Sequence, residues 1–161
     1  MFIYSVRSSS IKFIAFVVIT LALLITAVIL GEGDYILASG SGEINYSGVR
    51  DNESRVAFIE SFGIDVDSEP LEEDSFTMPD NFDRVILGYN ELQKKQGLDL
   101  SKYAKKRVTR YTYRVTNYDS EGEVYANLFI YRGKVIACDI SSASPEGFIQ
   151  PLTLVDREKL K

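Results

Sequence analysis

The chain has 161 residues and a net charge of -5, with ten tyrosines, nine phenylalanines, one cysteine and neither histidine nor tryptophan. That length holds one domain of common size besides a terminal segment. The composition excludes Ser-His-Asp and Cys-His chemistry, leaves zinc without its commonest ligands, and rules out an internal disulfide framework.

Residues 1–12 form a short tail carrying Arg7 and Lys12. Residues 13–30, FIAFVVITLALLITAVIL, contain no charge and only Thr20 and Thr26 as polar interruptions. As a helix the run would reach roughly 27 Å, close to the roughly 30 Å core of a bilayer, so a transmembrane helix is expected there. Arg7 and Lys12 precede it, while Glu32, Asp34 and Glu43 follow. The positive-inside rule then gives a single-pass protein of the cell membrane, with a cytoplasmic N-terminus and an extracellular C-terminal domain. The alternative is secretion after signal cleavage near Ala38, although a signal's apolar region usually runs only about 7–15 residues.

Residues 31–50 are rich in Gly and Ser, the composition of a flexible linker. An extracytoplasmic domain over 51–156 is expected next, followed by a tail over 157–161. Asn52 is the expected cap of a short helix whose apolar positions are Val56, Ile59 and Phe62, with Gly63 as terminator. The acidic run from Asp65 to Asp74 superficially resembles a calcium loop. Pro70 and Phe76 stand where an EF-hand needs Gly and Glu, so a solvated acidic loop is expected.

Asp80 or Asn81 is the expected cap of a second helix, with a stripe of Phe82, Val85, Ile86, Tyr89 and Leu92 facing the core and Gly97 at its end. Asn90, Gln93 and Gln96 lie beside that stripe, placed to satisfy backbone groups or to line a groove. The period then changes to two. Residues 107–116 alternate, residues 124–131 are apolar on both faces and belong in the middle of a sheet, and residues 135–140 return after a tight turn at Arg132 and Gly133. The fold class expected is α+β, two helices packed on a three-stranded antiparallel meander.

The string Tyr89-Asn90-x-x-Gln93-x-x-Gln96-Gly97-x-Asp99-Leu100-x-x-Tyr103 resembles the signature of an uncharacterised domain-of-unknown-function family, found in small single-span membrane proteins of clostridial-type bacteria. Further pieces of the resemblance are Arg110-Tyr111-x-Tyr113-x-Val115-x-Asn117-Tyr118, Val124-Tyr125-Ala126-Asn127-Leu128, Asp139-Ile140-x-Ser142 and Gly147-Phe148. The family tends to have two glycines where this chain has Ala137-Cys138, and a histidine where it has Ile149-Gln150-Pro151. A role needing that histidine has no carrier here. The resemblance implies the architecture and leaves the function open.

Charge divides the chain. Residues 31–83 hold fourteen acidic and two basic residues, and residues 84–114 hold nine basic and two acidic. The two stretches either pack against each other or give a surface that steers a charged partner. The candidate binding surface is Lys106, Arg107, Arg110 and Arg114 with Tyr111, suited to an envelope protein or an anionic polymer and, outside the cell, to no nucleic acid. A polar candidate site is Asn90, Gln93, Asp99 and Asp139. Cys138 and Asp139 are adjacent and should face opposite sides of a strand, so the thiol is expected as a core residue and Asp139 as a partner of Arg110, Arg114 or Lys134. No phosphate loop, dinucleotide fingerprint, metal set or cofactor motif is present. The sequence therefore points to a membrane-anchored, non-enzymatic binding or accessory module of the cell envelope. The alternative is an envelope hydrolase or metal-assisted enzyme using carboxylates such as Asp139 and Asp99. A pocket with convergent carboxylates would favour the enzyme.

Overall fold

Aspartates open both helices by accepting hydrogen bonds from otherwise unpaired backbone N–H groups. Asp51 accepts from Ser54 N while Ser54 Oγ accepts from Asp51 N, a reciprocal capping box that starts helix α1, Asn52–Glu60. Asp83 accepts from Ile86 N and starts helix α2, Arg84–Lys94. The caps are thus Asp51 and Asp83 rather than Asn52 and Asp80 or Asn81, and Phe82 lies ahead of α2. This computed structural model describes residues 43–144 and 147–161. The expected membrane-spanning helix over 13–30 lies outside the described residues, among which no helix is long and apolar enough to cross a membrane.

The sheet corrects the expected three-stranded meander. Five antiparallel strands run in the order β1 (Glu72–Thr77), β2 (Arg107–Arg114), β3 (Val124–Tyr131), β4 (Lys134–Ser142) and β5 (Ile149–Pro151). Two strands escaped the sequence reading for different reasons. The first half of β1 falls in the acidic stretch read as a solvated loop to Asp74, and five of its six residues are exposed, yet acidic side chains suit an edge strand that must not pair further. Its register sets Asp74 opposite Arg110 and Phe76 opposite Val108. β5 is three residues long, too short to show a period.

Side-chain alternation gives the sheet two faces. Tyr113, Ala126, Leu128, Cys138 and Ile140 pack with Phe58 and Ile59 of α1 on one. Val108, Phe129 and Ala137 pack with Phe76, Met78 and Tyr89 on the other, the side of α2. The β3–β4 turn is Arg132-Gly133 with φ of 50° and 74°, a primed turn whose twist matches the strands. Beyond it the register shifts, from Ile130 opposite Val135 to Phe129 opposite Ala137. This bulge places Asp139 opposite Asn127. An unbroken hairpin would have put Cys138 there, with Asp139 on the α1 side.

The outer edge of β4 is closed piecewise. Tyr46 O accepts from Val135 N at 2.7 Å, and Val49 N donates to Gly133 O at 3.0 Å. At the other end Asp139, Ile140 and Ser141 pair with β5.

Candidate functional site

Helix α2 carries polar residues on two flanks, and the structure treats them differently. Its fully buried residues are Asn90 and Gln93, not the apolar stripe; Ile86, Tyr89 and Leu92 are half-buried, and Val85 is 79% exposed. On the first flank Gln93 Oε1 accepts from Cys138 N at 2.9 Å, and Gln96 Nε2 donates to Cys138 O at 2.6 Å. The two glutamines pair the β4 backbone as a strand would, between Val135 and β5. Asn90 Oδ1 accepts from Leu100 N at 2.7 Å, and Asn90 Nδ2 donates to Asp99 Oδ1 at 3.0 Å. Asp99 also accepts from Ser101 N and Ser101 Oγ, and the hydrogen bonds from Asn90 and then Ser101 hold its carboxyl down at about 2. Asn90, Gln93 and Asp99 thereby tie α2 to the chain that follows it and to β4.

The second flank faces a cavity of about 350 Å³, lined by Phe76, Met78, Pro79, Val85, Ile86, Tyr89, Leu100, Arg110, Asn127, Phe129, Asp139 and Ile149. Its walls are apolar, and its polar groups sit on three neighbouring strands. Asp139, 2% exposed, accepts from Tyr89 Oη at 2.6 Å and from Asn127 Nδ2 at 2.9 Å. Asn127 Oδ1 in turn accepts from Thr112 Oγ1 at 2.9 Å. Burial pushes the Asp139 carboxyl above the usual aspartate range, against the pull of these donors and of Arg110. Burial and the neighbouring Asp139 likewise push the Tyr89 phenol up. Arg110 sends Nη2 outward to Glu72 at 3.4 Å and Asp74 at 3.9 Å. Its Nε is shut off from solvent and has no hydrogen-bond partner among the described residues.

Of the four polar candidates, only Asp139 lines this cavity. None of Arg110, Arg114 or Lys134 lies within ion-pair distance of it among the described residues. Asp99 lines a separate, larger groove of about 650 Å³ with Tyr46, Gln96, Lys102, Tyr103 and Lys134. Of the basic candidates, Arg110 lines the cavity, whereas Arg114 pairs with Asp67 at 2.8 Å on the exposed surface. Lys106 and Arg107 are exposed at the start of β2. Tyr111 is on the opposite face, with the Arg55 guanidinium 3.7 Å above its ring. The acidic and basic stretches meet across β1 and β2, so much of the expected positive surface is neutralised in place.

Cys138 is enclosed on the α1 side, and burial pushes its thiol far up, as befits an inert core residue. No group of three metal-ligating side chains occurs among the described residues. The observed partners of Asp139 are Tyr89 and Asn127 in place of the expected Arg110, Arg114 or Lys134. The Tyr89 stripe was visible, but the bulge that aims Asp139 at it has no sequence mark.

Residues 58–140 match the model of a domain of unknown function, DUF4830. The chain belongs to the DUF4830 family. The matched stretch exceeds half of the chain and includes α2, β1, β2 and β3, hence both flanks of α2 and all of the cavity except Ile149. No curated protein and no solved structure matches the chain. In this DUF4830 domain the cavity joins an apolar lining, an exposed apolar mouth at Val85 and Ile149 and one enclosed carboxylate.

Proposed function

We propose that the DUF4830 domain of this chain is a non-enzymatic binding module of the cell envelope, held outside the membrane by the apolar segment 13–30, and that it takes its ligand in the cavity between α2 and the sheet. The observation that carries this reading is the cavity itself, apolar-walled, of ligand size, with a few fixed polar groups at its base. Its single carboxylate is already engaged by Tyr89 and Asn127, an arrangement that orients a ligand rather than one that pairs an acid with a base. The location rests on the sequence alone, on the uncharged run and the basic residues before it.

The test uses intact cells making the full chain with a C-terminal tag and a membrane-impermeant crosslinker. The tag should be labelled from outside. An envelope component should be captured by the parent and by Arg114→Ser, and lost by Val85→Trp, which closes the cavity mouth at an exposed helix position. An inaccessible tag would overturn the location. Capture that survives Val85→Trp and fails in Arg114→Ser would move the binding surface to the basic strand.

A further inference from the structure

The polar side chains at the base of the cavity are occupied with one another. Asp139 accepts one hydrogen bond on each oxygen, from Asn127 and from Tyr89, which uses the Tyr89 hydroxyl. Asn127 is satisfied at its other end by Thr112. Arg110 turns Nη2 outward to Glu72 and Asp74, and its Nε is shut off from solvent, so neither nitrogen is offered to an occupant. Burial also disfavours the charged form of Asp139, which leaves the base with little to attract an ion. The walls at Phe76, Met78, Ile86 and Phe129 are apolar, and the mouth is formed by Val85 and Ile149, 79% and 52% exposed.

An occupant that carried an amide, a hydroxyl or a charge inside would strip it of water and find no free side-chain partner among the described residues. A peptide backbone is disfavoured there on the same ground, since each residue brings a donor and an acceptor. A hydrocarbon chain brings neither, and it takes the walls out of water. Apolar residues exposed around an apolar opening mark a surface made to be covered. The hydrocarbon is close at hand. Twelve residues, 31–42, separate the uncharged run from Glu43, the first described residue. They reach at most about 45 Å whatever their conformation, so with residues 13–30 in a bilayer its acyl chains are always present at high effective concentration. We propose that the cavity takes the end of a membrane-lipid acyl chain, with Val85 and Ile149 seated in the bilayer surface and the lipid head group left outside. This rests on the reading of the cavity as the ligand site and of residues 13–30 as the anchor, and it adds the ligand's class. Because the chain and not the head is recognised, occupancy is independent of head-group charge and of salt.

Met78 lines the cavity, and the only other methionine is Met1, so an isotope-labelled methionine methyl reports on the site in the full chain. The full chain is placed in nanodiscs of a zwitterionic phosphatidylcholine that carries a nitroxide either at the end of one acyl chain or on the head group. The chain-end label should broaden the Met78 methyl resonance beyond detection, and the head-group label should leave it visible. Neither replacing part of the lipid with anionic phosphatidylglycerol nor adding salt should change that contrast. Val85 is an exposed helix position, so its substitution leaves the core intact. Val85→Trp, which closes the mouth, and Val85→Glu, which removes its apolar rim, should both restore the signal with the chain-end label. A head-group label that broadens Met78 as strongly as the chain-end label overturns the proposal, as does broadening that needs anionic lipid or survives both substitutions. So does broadening by a nitroxide-labelled fatty acid added from water when the labelled lipid has no effect. If no label reaches Met78 while envelope capture still depends on Val85, the lipid chain fails and the binding reading stands. If capture does not depend on Val85 either, both fail. The comparison of label positions on the parent protein needs no variant.

Discussion

The two flanks of α2 use similar residues to opposite ends. Toward β4, Gln93 and Gln96 reach the two polar groups of Cys138 and complete an unpaired strand edge, while Asn90 and Asp99 fasten the following turn. Toward β2 and β3, Tyr89 meets Asp139 beneath a cavity walled by Phe76, Ile86 and Phe129. Polarity alone does not separate a structural seam from a binding site. Empty space beside the polar groups does.

The largest test of this contrast is on the closed flank. Gln93→Leu leaves Cys138 N buried without an acceptor and should cost about 2–3 kcal/mol of folding stability, read as a lower denaturant midpoint with unchanged slope. A loss below about 0.5 kcal/mol, the range of an ordinary surface change, would show that the glutamine pair does not hold the β4 edge. Ligand binding by the folded fraction should survive.

Titration separates the flanks by sign. Asp139 has its native value raised by burial, so its charged form is disfavoured in the fold. Stability should fall as pH rises from the ordinary aspartate value of about 4 through the raised native one. Asp99, held down at about 2, contributes stability that is present above the ordinary value and lost as pH falls toward 2. Thermal midpoints measured across acid pH should therefore lose their decline toward neutrality in Asp139→Asn, and lose part of their acid-side decline in Asp99→Asn. The same slope change in both variants would contradict the distinction.

The smallest expected effect lies on the outer surface of α2. Gly88 is helical and exposed, with nothing within 4 Å of the position a Cβ would take. Gly88→Ala should stabilise the helix by about 0.5–1 kcal/mol and raise the thermal midpoint without altering the NMR position of the methyl of Met78, which lines the cavity. A shifted methyl would mean that α2 moves when it stiffens, and that the cavity is not a rigid site.

Much of this architecture is legible in the residues. Alternation at Tyr111, Tyr113 and Val115 marks β2, the two-sided apolar run marks β3 as the middle strand, and Arg132-Gly133 marks the hairpin. β1 is hidden because Glu72, Glu73 and Asp74 stabilise an edge by charge rather than by burial, and β5 because three residues carry no period. The stripe on α2 was expected to fill the core, yet Asn90 and Gln93 take that place, since the open edge of β4 needs polar partners more than apolar ones. At the site, Asp139 and Arg110 stand out individually as charged residues within strands. Their meeting on one face depends on the β3–β4 bulge, a backbone event set by packing, which turns Asp139 from the face of α1 to the face of Tyr89 and Asn127.

The most direct measurement is native mass spectrometry of the full chain isolated from its own cells, comparing the parent with Val85→Trp. The account predicts a non-covalent adduct on the parent that is absent from Val85→Trp. The same adduct on both proteins would place the ligand elsewhere and contradict the assignment of the open flank as the binding site.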